Sequence, residues 1–148
     1  RYSPAKIAVM LNKTEGEVLD AVQSMEQRGI IVKYTAIVND ERLSDDYVQA
    51  LIEVKVSPQK ASGFDAIAEE IYRFDEVKSC YLMSGGYDLA VFIEGKNLRE
   101  VARFVSERLS TLDEVQSTAT HFILKKYKIE GTITGAEEDR ERRISVHA

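Results

Sequence analysis

The hydrophobic pattern at the start of the chain predicts two short helices followed by an extended segment. Ser3, followed by a proline, is typical of a helix start, because its hydroxyl can cap the free N–H groups of the first turn. Thr14 and Glu17 have the spacing of a capping box, and apolar residues then recur at helical intervals as far as Gly29. β-Branched and aromatic residues at 30–38 predict a strand. This order indicates a partial winged helix-turn-helix that lacks its first helix.

From residue 48 onward the pattern becomes strand, helix, strand, strand, helix, strand. Apolar and polar residues alternate over 48–56, as in a half-buried strand, and the helical segments carry apolar residues three and four positions apart. This order predicts a βαββαβ ferredoxin-like domain, in which a four-stranded antiparallel sheet carries both helices on one face. The fold class is therefore α+β. The later strands are predicted at 77–84, 87–95 and 115–131, and the helices at 63–74 and 97–112.

The third strand of this domain is apolar on both sides. Leu89, Val91 and Ile93 alternate with Ala90 and Phe92, so each face of the sheet receives apolar side chains. Two helices on one face leave the other face exposed, and a large apolar surface on a soluble protein usually marks an interface. A second copy of the chain is the simplest cover. The pattern therefore predicts a homodimer formed through the sheets, able to assemble further.

Composition is that of a soluble globular protein, with 44% apolar and 30% charged residues. A single cysteine, Cys80, excludes an internal disulfide framework and favours a reducing compartment, hence a cytoplasmic protein. No apolar run approaches the length of a membrane span, and no membrane partner is predicted. The net charge of −5 is not typical of a nucleic-acid-binding protein, although a local basic patch remains compatible with it.

An enzyme is the alternative from another functional class, because ferredoxin-like scaffolds also support small oxygenases and isomerases. The histidines, His121 and His147, do not form a cluster with cysteine at metal-ligand spacing. No set of nucleophile, base and orienting residue is apparent either. The sequence therefore predicts no catalytic residue, no metal site and no cofactor.

Several segments, taken in order, carry a family resemblance. Residues 29–38, then Gly85 with Asp88 between the middle strands, then 115–124 in the last strand have a characteristic sequence and spacing. In this combination the chain resembles the Lrp/AsnC family of bacterial and archaeal transcription regulators over residues 3–130. Each segment alone is a weak signal, and their order makes it specific.

The resemblance implies a helix-turn-helix that contacts promoter DNA and a C-terminal domain that dimerises and assembles dimers into an octamer-type ring. It also implies a small-molecule effector, an amino acid, bound between subunits, whose binding alters assembly or DNA affinity. The family includes members that act through a related partner, for example in the control of haem synthesis. A co-regulator with weak or no DNA binding of its own is therefore the alternative function.

The stretch from Ser84 to Asp88 has two interpretations. As a simple hairpin turn, it would use its two glycines to supply positive φ angles. Backbone N–H groups of a glycine-containing turn can also hold a carboxylate, and an aspartate can accept from an ammonium group. In the family, this loop and the last strand line the effector site. The predicted effector-binding residues are Ser84, Gly85, Gly86, Tyr87, Asp88, Thr118 and Thr120.

The predicted second helix departs from the usual composition of a DNA-recognition helix. Residues 1–40 contain five basic and five acidic residues, and this net charge of zero is unfavourable for neutralising phosphates. The helix nevertheless carries amide side chains that could hydrogen-bond to base edges, and basic residues flank it. The predicted DNA-binding residues are Lys13, Thr14, Gln23, Gln27, Arg28 and Lys33.

These patterns divide the chain into four segments with distinct predicted roles. The charged and polar composition between the two folded parts is typical of a linker, and the end of the chain lacks apolar periodicity. The segments are a winged helix-turn-helix at 1–40, a linker at 41–47, an effector-binding and oligomerisation domain at 48–131 and a solvated tail at 132–148.

Overall fold

The structure is a computed structural model that describes residues 2–40, 43, 47–57 and 63–134. The chain divides into two compact units between Val38 and Asn39. We call them the N-terminal unit and the C-terminal domain. Most of the predicted linker, and the predicted tail beyond residue 134, lie outside the described residues.

The N-terminal unit contains two helices whose ends match their sequence signals. Helix α1 spans Pro4–Leu11 and helix α2 spans Glu15–Gln27. The hydroxyl of Ser3 accepts the backbone N–H of Lys6 at 3.3 Å, as expected of an N-cap. Asn12 ends α1 in the left-handed conformation, with φ of 53°, and so provides the tight turn between the helices. The predicted helix-turn-helix is confirmed.

Helix α2 ends at the predicted glycine. Gly29 has a φ of 68°, and the N–H of Ile30 then donates to the carbonyl of Met25 at 2.8 Å. This arrangement satisfies carbonyl groups that the last helical turn leaves free.

The strand predicted after α2 does not form. Residues 31–38 are not paired with any strand among the described residues. The physical reason is that a strand needs a neighbour for its N–H and C=O groups, whereas the described elements of this unit are helices. Its buried apolar side chains, among the described residues, are Ala8 and Val18.

The C-terminal domain has the predicted ferredoxin-like topology. Its sheet has the order β2-β3-β1-β4, and all neighbouring strands are antiparallel. The prediction of an α+β fold with a βαββαβ domain is confirmed. The elements are β1 (Val48–Val56), α3 (Gly63–Tyr72), β2 (Val77–Leu82), β3 (Leu89–Gly95), α4 (Leu98–Phe104), which continues as a π-helical turn (Val105–Leu109), and β4 (Val115–Phe122).

The core lies between one face of the sheet and the helices. Ile52 of β1 is opposite Val91 of β3, and both are fully buried. Residues directly opposite each other in a sheet share a face, so the register assigns alternate residues to the helix-covered face and to the open face. The helices contribute Ile67, Ile71, Val101, Phe104 and Leu109 to the core.

The last strand is shorter than predicted. Strand β4 ends at Phe122, and the chain then forms a small hairpin of β5 (Lys128–Ile129) and β6 (Thr132–Ile133). Glu130 and Gly131 connect its strands with φ angles of 44° and 82°. Two successive positive φ angles are those of a type I′ turn, whose twist suits a two-residue hairpin.

Candidate effector and nucleic-acid sites

The loop between β2 and β3 is closed by the N–H of Met83, which donates to the carbonyl of Asp88 at 2.8 Å. Neither Gly85 nor Gly86 has a positive φ, so the expectation that they supply one is wrong. A Cβ added at either glycine would meet nothing within 4 Å. The chain itself therefore does not require glycine at these positions.

Asp88 has a structural role that was not predicted from the sequence. Its Oδ2 accepts the backbone N–H of Val56 at 2.9 Å, and its own N–H donates to the carbonyl of Val54 at 3.0 Å. Strand β3 begins at Leu89, opposite Val54, so the N–H of Val56 lies beyond the end of β3. The carboxylate takes the place of a backbone carbonyl there. Its other oxygen, Oδ1, has no hydrogen-bond partner among the described residues.

Thr118 and Thr120 lie on the helix side of the sheet. They are opposite Val54 and Ile52 respectively, and β4 is an edge strand. The hydroxyl oxygen of Thr118 is 3.4 Å from that of Ser110, while Thr120 is exposed. No local motif marks Ser110 in the sequence, so its position beside Thr118 was not predicted.

The predicted effector residues lie at one end of the sheet and form two groups. Residues 84–88 are in the loop before β3, Thr118 and Thr120 are in β4, and β1 lies between these two strands. Leu89, next to Asp88, and Thr118 flank Val54 on opposite sides. At the usual spacing of strands, this places the backbones of β3 and β4 about 10 Å apart. Among the remaining loop residues Ser84 is exposed and Tyr87 is half-buried.

A cavity of about 560 Å³ lies elsewhere in the C-terminal domain. It is lined by Val48, at the opposite end of β1 from Val56, and by residues 96–99. None of the predicted effector residues lines it. This cavity is therefore separate from the predicted effector site.

Two of the predicted DNA contacts are engaged at the start of α2. The hydroxyl of Thr14 accepts the N–H of Glu17 at 3.2 Å, and the Glu17 carboxylate accepts the N–H of Thr14 at 2.8 Å. The capping box is thus confirmed. The ammonium group of Lys13 lies 3.0 Å from the same carboxylate. These contacts, first the backbone N–H of Thr14 and then the side chains of Lys13 and Thr14, lower the pKa of Glu17.

The pH dependence of α2 follows from this contact. Because the pKa of Glu17 in the folded state is below its ordinary value of 4.5, the ionised form stabilises the helix above that pH. The contribution is lost as the pH falls through the lowered pKa. We expect the helical circular dichroism signal to decrease over that range. We expect Glu17→Gln to remove the part of this pH dependence that is due to ionisation of Glu17. A wild-type signal that follows the Glu17→Gln signal at every pH would contradict the assignment.

The other predicted DNA contacts are exposed. Gln23 and Gln27 project from α2, Arg28 is its C-cap residue, and Lys33 lies in the unpaired segment that follows. The surface near them is also acidic, and the hydroxyl of Tyr34 donates to Glu26 at 2.8 Å. The unit thus presents amides flanked by charges of both signs.

The described part of the chain contains neither a candidate metal site nor a candidate membrane span. No three His, Cys, Asp or Glu side chains within 2–40, 47–57 and 63–134 are grouped so that they could hold a metal ion. None of the helices in the same part of the chain combines the length and apolar character needed to cross a bilayer. Cys80 packs against the core, and burial raises the pKa of its thiol.

A helix-turn-helix followed by a ferredoxin-like domain defines a class of transcription regulators that combine a DNA-binding unit with a ligand-binding domain. The profile of the Lrp/AsnC ligand-binding domain matches residues 49–133. The chain is also 49% identical over 138 residues to YugG of Bacillus subtilis, itself an uncharacterised HTH-type transcriptional regulator, and the match covers 92% of this chain and 82% of YugG. The chain belongs to the Lrp/AsnC family of transcription regulators.

Solved structures share the fold. AsnC of E. coli superposes with a TM-score of 0.67 at 22% identity, over 87% of this chain and 85% of AsnC. A transcriptional regulator of Neisseria meningitidis, solved in complex with L-Met, gives 0.70 at 22% identity, over 90% of this chain and 85% of that one. At these identities the likeness extends to the fold alone.

Proposed function

We propose that this regulator forms a homodimer through its sheets, assembles further into a ring, and binds promoter DNA through residues 1–40. We further propose that residues 48–131 bind an amino acid, which stabilises one assembly state over another. A ligand shifts such an equilibrium only by its difference in affinity for the two states. The DNA-binding units would then change their spacing with the state that the ligand favours.

The observation that carries the effector proposal is the loop from Met83 to Asp88. One oxygen of the Asp88 carboxylate is held by Val56, and the other is left to accept from an ammonium group. The open space at Gly85 and Gly86 lets another molecule approach the backbone closely, which a side chain would prevent. An α-amino acid offers both an ammonium and a carboxylate group. The L-Met complex of the Neisseria regulator supports this ligand class.

The dimer proposal is supported by the open face of the sheet. Phe92 is opposite Leu51, and Tyr81, which is 54% exposed, packs edge-on against Phe92 with ring centroids 6.0 Å apart. His121 lies 3.3 Å from Glu53 on the same face. An apolar centre with a polar margin is typical of a surface that pairs with a copy of itself.

The DNA-binding proposal assigns different tasks to the exposed residues. Gln23 and Gln27 can hydrogen-bond to base edges, and Arg28 and Lys33 can contact phosphates. Lys13 places a positive charge at the opposite, N-terminal end of α2, and the Glu17 carboxylate partly neutralises that charge. Thr14 contributes by fixing the start of α2.

The test is selection of duplexes from a random-sequence pool by the full-length protein, followed by titrations at several salt concentrations. Arg28→Ala is expected to weaken all duplexes alike and to reduce the salt slope by about 1, because it removes one phosphate contact. Gln23→Ala is expected to reduce discrimination at one base position by about 1–3 kcal/mol. Both effects are read from binding isotherms.

The co-regulator remains the second candidate because of the charge balance of the N-terminal segment. Five basic and five acidic residues within 1–40 leave no excess positive charge for phosphates. If the full-length protein retains no duplex at low salt but does so when mixed with a related regulator, the co-regulator function is supported. Retention by the protein alone, with the salt dependence above, excludes it.

A further inference from the structure

The first residues after the N-terminal unit are bound to the residues that flank the β5–β6 hairpin. The side-chain amide of Asn39 donates to the carbonyl of Thr134 at 3.1 Å, and Asp40 forms an ion pair with Lys126. These partners are 95 and 86 residues apart in the chain. We call Asn39, Asp40, Lys126 and Thr134 the clasp.

The hairpin side of the clasp is itself well ordered by hydrogen bonds. The hydroxyl of Thr134 donates to the carbonyl of Lys126 at 2.6 Å, and the N–H of Thr134 donates to the carbonyl of Tyr127 at 3.0 Å. The type I′ turn at Glu130 and Gly131 fixes the register of β5 and β6. The clasp therefore joins residues 39–40 to a preformed element rather than to a loose end.

This contact determines how much free chain connects the two units. With the clasp closed, the chain that leaves the N-terminal unit is held at Asn39, so the residues between Asp40 and β1 add nothing to the length of the connection. With the clasp open, residues 39–47 would connect the unit to β1. A flexible tether of that length has a root-mean-square span of about 17 Å. Opening the clasp would thus give the N-terminal unit a wide range of positions.

We propose that the clasp restrains the point at which the N-terminal unit leaves the C-terminal domain, and that this restraint raises the affinity of the assembled protein for DNA. The inference rests on the proposed DNA binding by a dimer. When two linked units bind one duplex, the second binds at an effective concentration that falls as the tether lengthens. A restrained exit point also lowers the conformational entropy lost on binding.

The decisive variant is Asp40→Lys in the full-length protein, because loss of the clasp and the change in net charge should alter DNA affinity in opposite directions. The substitution replaces attraction to Lys126 by repulsion, yet it makes the protein less negative, which alone would tighten DNA binding. We expect binding about 10-fold weaker than wild type. The probe is a duplex selected by the wild-type protein, measured by fluorescence anisotropy. Asp75→Lys, an equal charge change at an exposed position of the same domain, is the matched control and is expected to bind at least as tightly as wild type.

The double variant Asp40→Lys with Lys126→Asp restores an ion pair at wild-type net charge and is expected to recover affinity to within about 3-fold. Thermal unfolding and light scattering confirm that each variant is folded and equally assembled. Equal affinities of Asp40→Lys and Asp75→Lys, or a double variant that stays weak, would overturn the clasp inference alone. A wild-type protein that selects no duplex would overturn the proposed DNA binding, and the clasp inference with it.

Discussion

Replacing Phe92 by glutamate is expected to convert the proposed dimer into folded monomers. Phe92 lies on the open face in one of the two central strands of the sheet, with Leu51 and Ser79 directly opposite it and Tyr81 packed edge-on against it. No cation among these neighbours can compensate a carboxylate buried between two apolar faces. The cost of several kcal/mol should raise the dissociation constant by about 100-fold or more. Light scattering at micromolar concentration measures the change in mass.

The control for this experiment is Tyr72→Glu. Tyr72 is also an exposed aromatic residue, at 55%, but it lies in α3 on the helix side of the sheet. The same substitution there should leave the assembly unchanged. Loss of the Tyr81 contact in Phe92→Glu costs the fold itself only about 0.5–1.5 kcal/mol, so unfolding is not expected. A Phe92→Glu variant that stays dimeric would refute pairing through the open face.

Replacing Asp88 by asparagine is expected to abolish the response to amino acids while leaving the fold intact. The asparagine carbonyl can still accept the N–H of Val56, but the side chain no longer carries the charge that would bind an ammonium group. Asp88→Ala removes both functions, and the unpartnered N–H of Val56 should lower the free energy of unfolding by about 1–3 kcal/mol. Thermal unfolding with and without L-methionine and the other standard amino acids measures both effects.

The comparison of the two Asp88 variants separates binding from folding. Asp113→Asn, an equal change at an exposed position, should retain the wild-type response. If one amino acid stabilises both wild type and Asp88→Asn equally, the carboxylate does not bind the ammonium group. If Asp88→Asn and Asp88→Ala are destabilised to the same extent, the bond to Val56 is not what holds the end of β1.

The sequence predicted those elements whose signals are local. The capping box of Thr14 and Glu17 and the left-handed Gly29 each involve residues within one or two turns, so pattern and outcome agree. For the same reason the alternation in β3 correctly placed Ala90 and Phe92 together on one face of the sheet. The hairpin after β4 was missed because Glu130 is an uncommon residue for a type I′ turn, which usually contains Asn-Gly or Asp-Gly.

The site was less predictable because its contacts depend on tertiary structure. The bond between Asp88 and Val56 exists because β1 runs past the end of β3, a fact that no local motif encodes. For the same reason the pairing of Ser110 with Thr118 could not be foreseen. The engagement of Lys13 by Glu17, by contrast, follows the four-residue spacing of a helix pair, which the sequence contained.

The small buried surface of the N-terminal unit has a consequence for protein engineering. Ala8 and Val18 are its buried apolar side chains among the described residues, whereas Val9 is 82% exposed. Burial of apolar side chains is the main favourable contribution to folding, and this unit obtains little of it. Helices of 8 and 13 residues with so few buried contacts are marginal in isolation, so an excised peptide of this segment would be only weakly structured. Chimeras that graft it onto a foreign sensor will need additional stabilising contacts from the host.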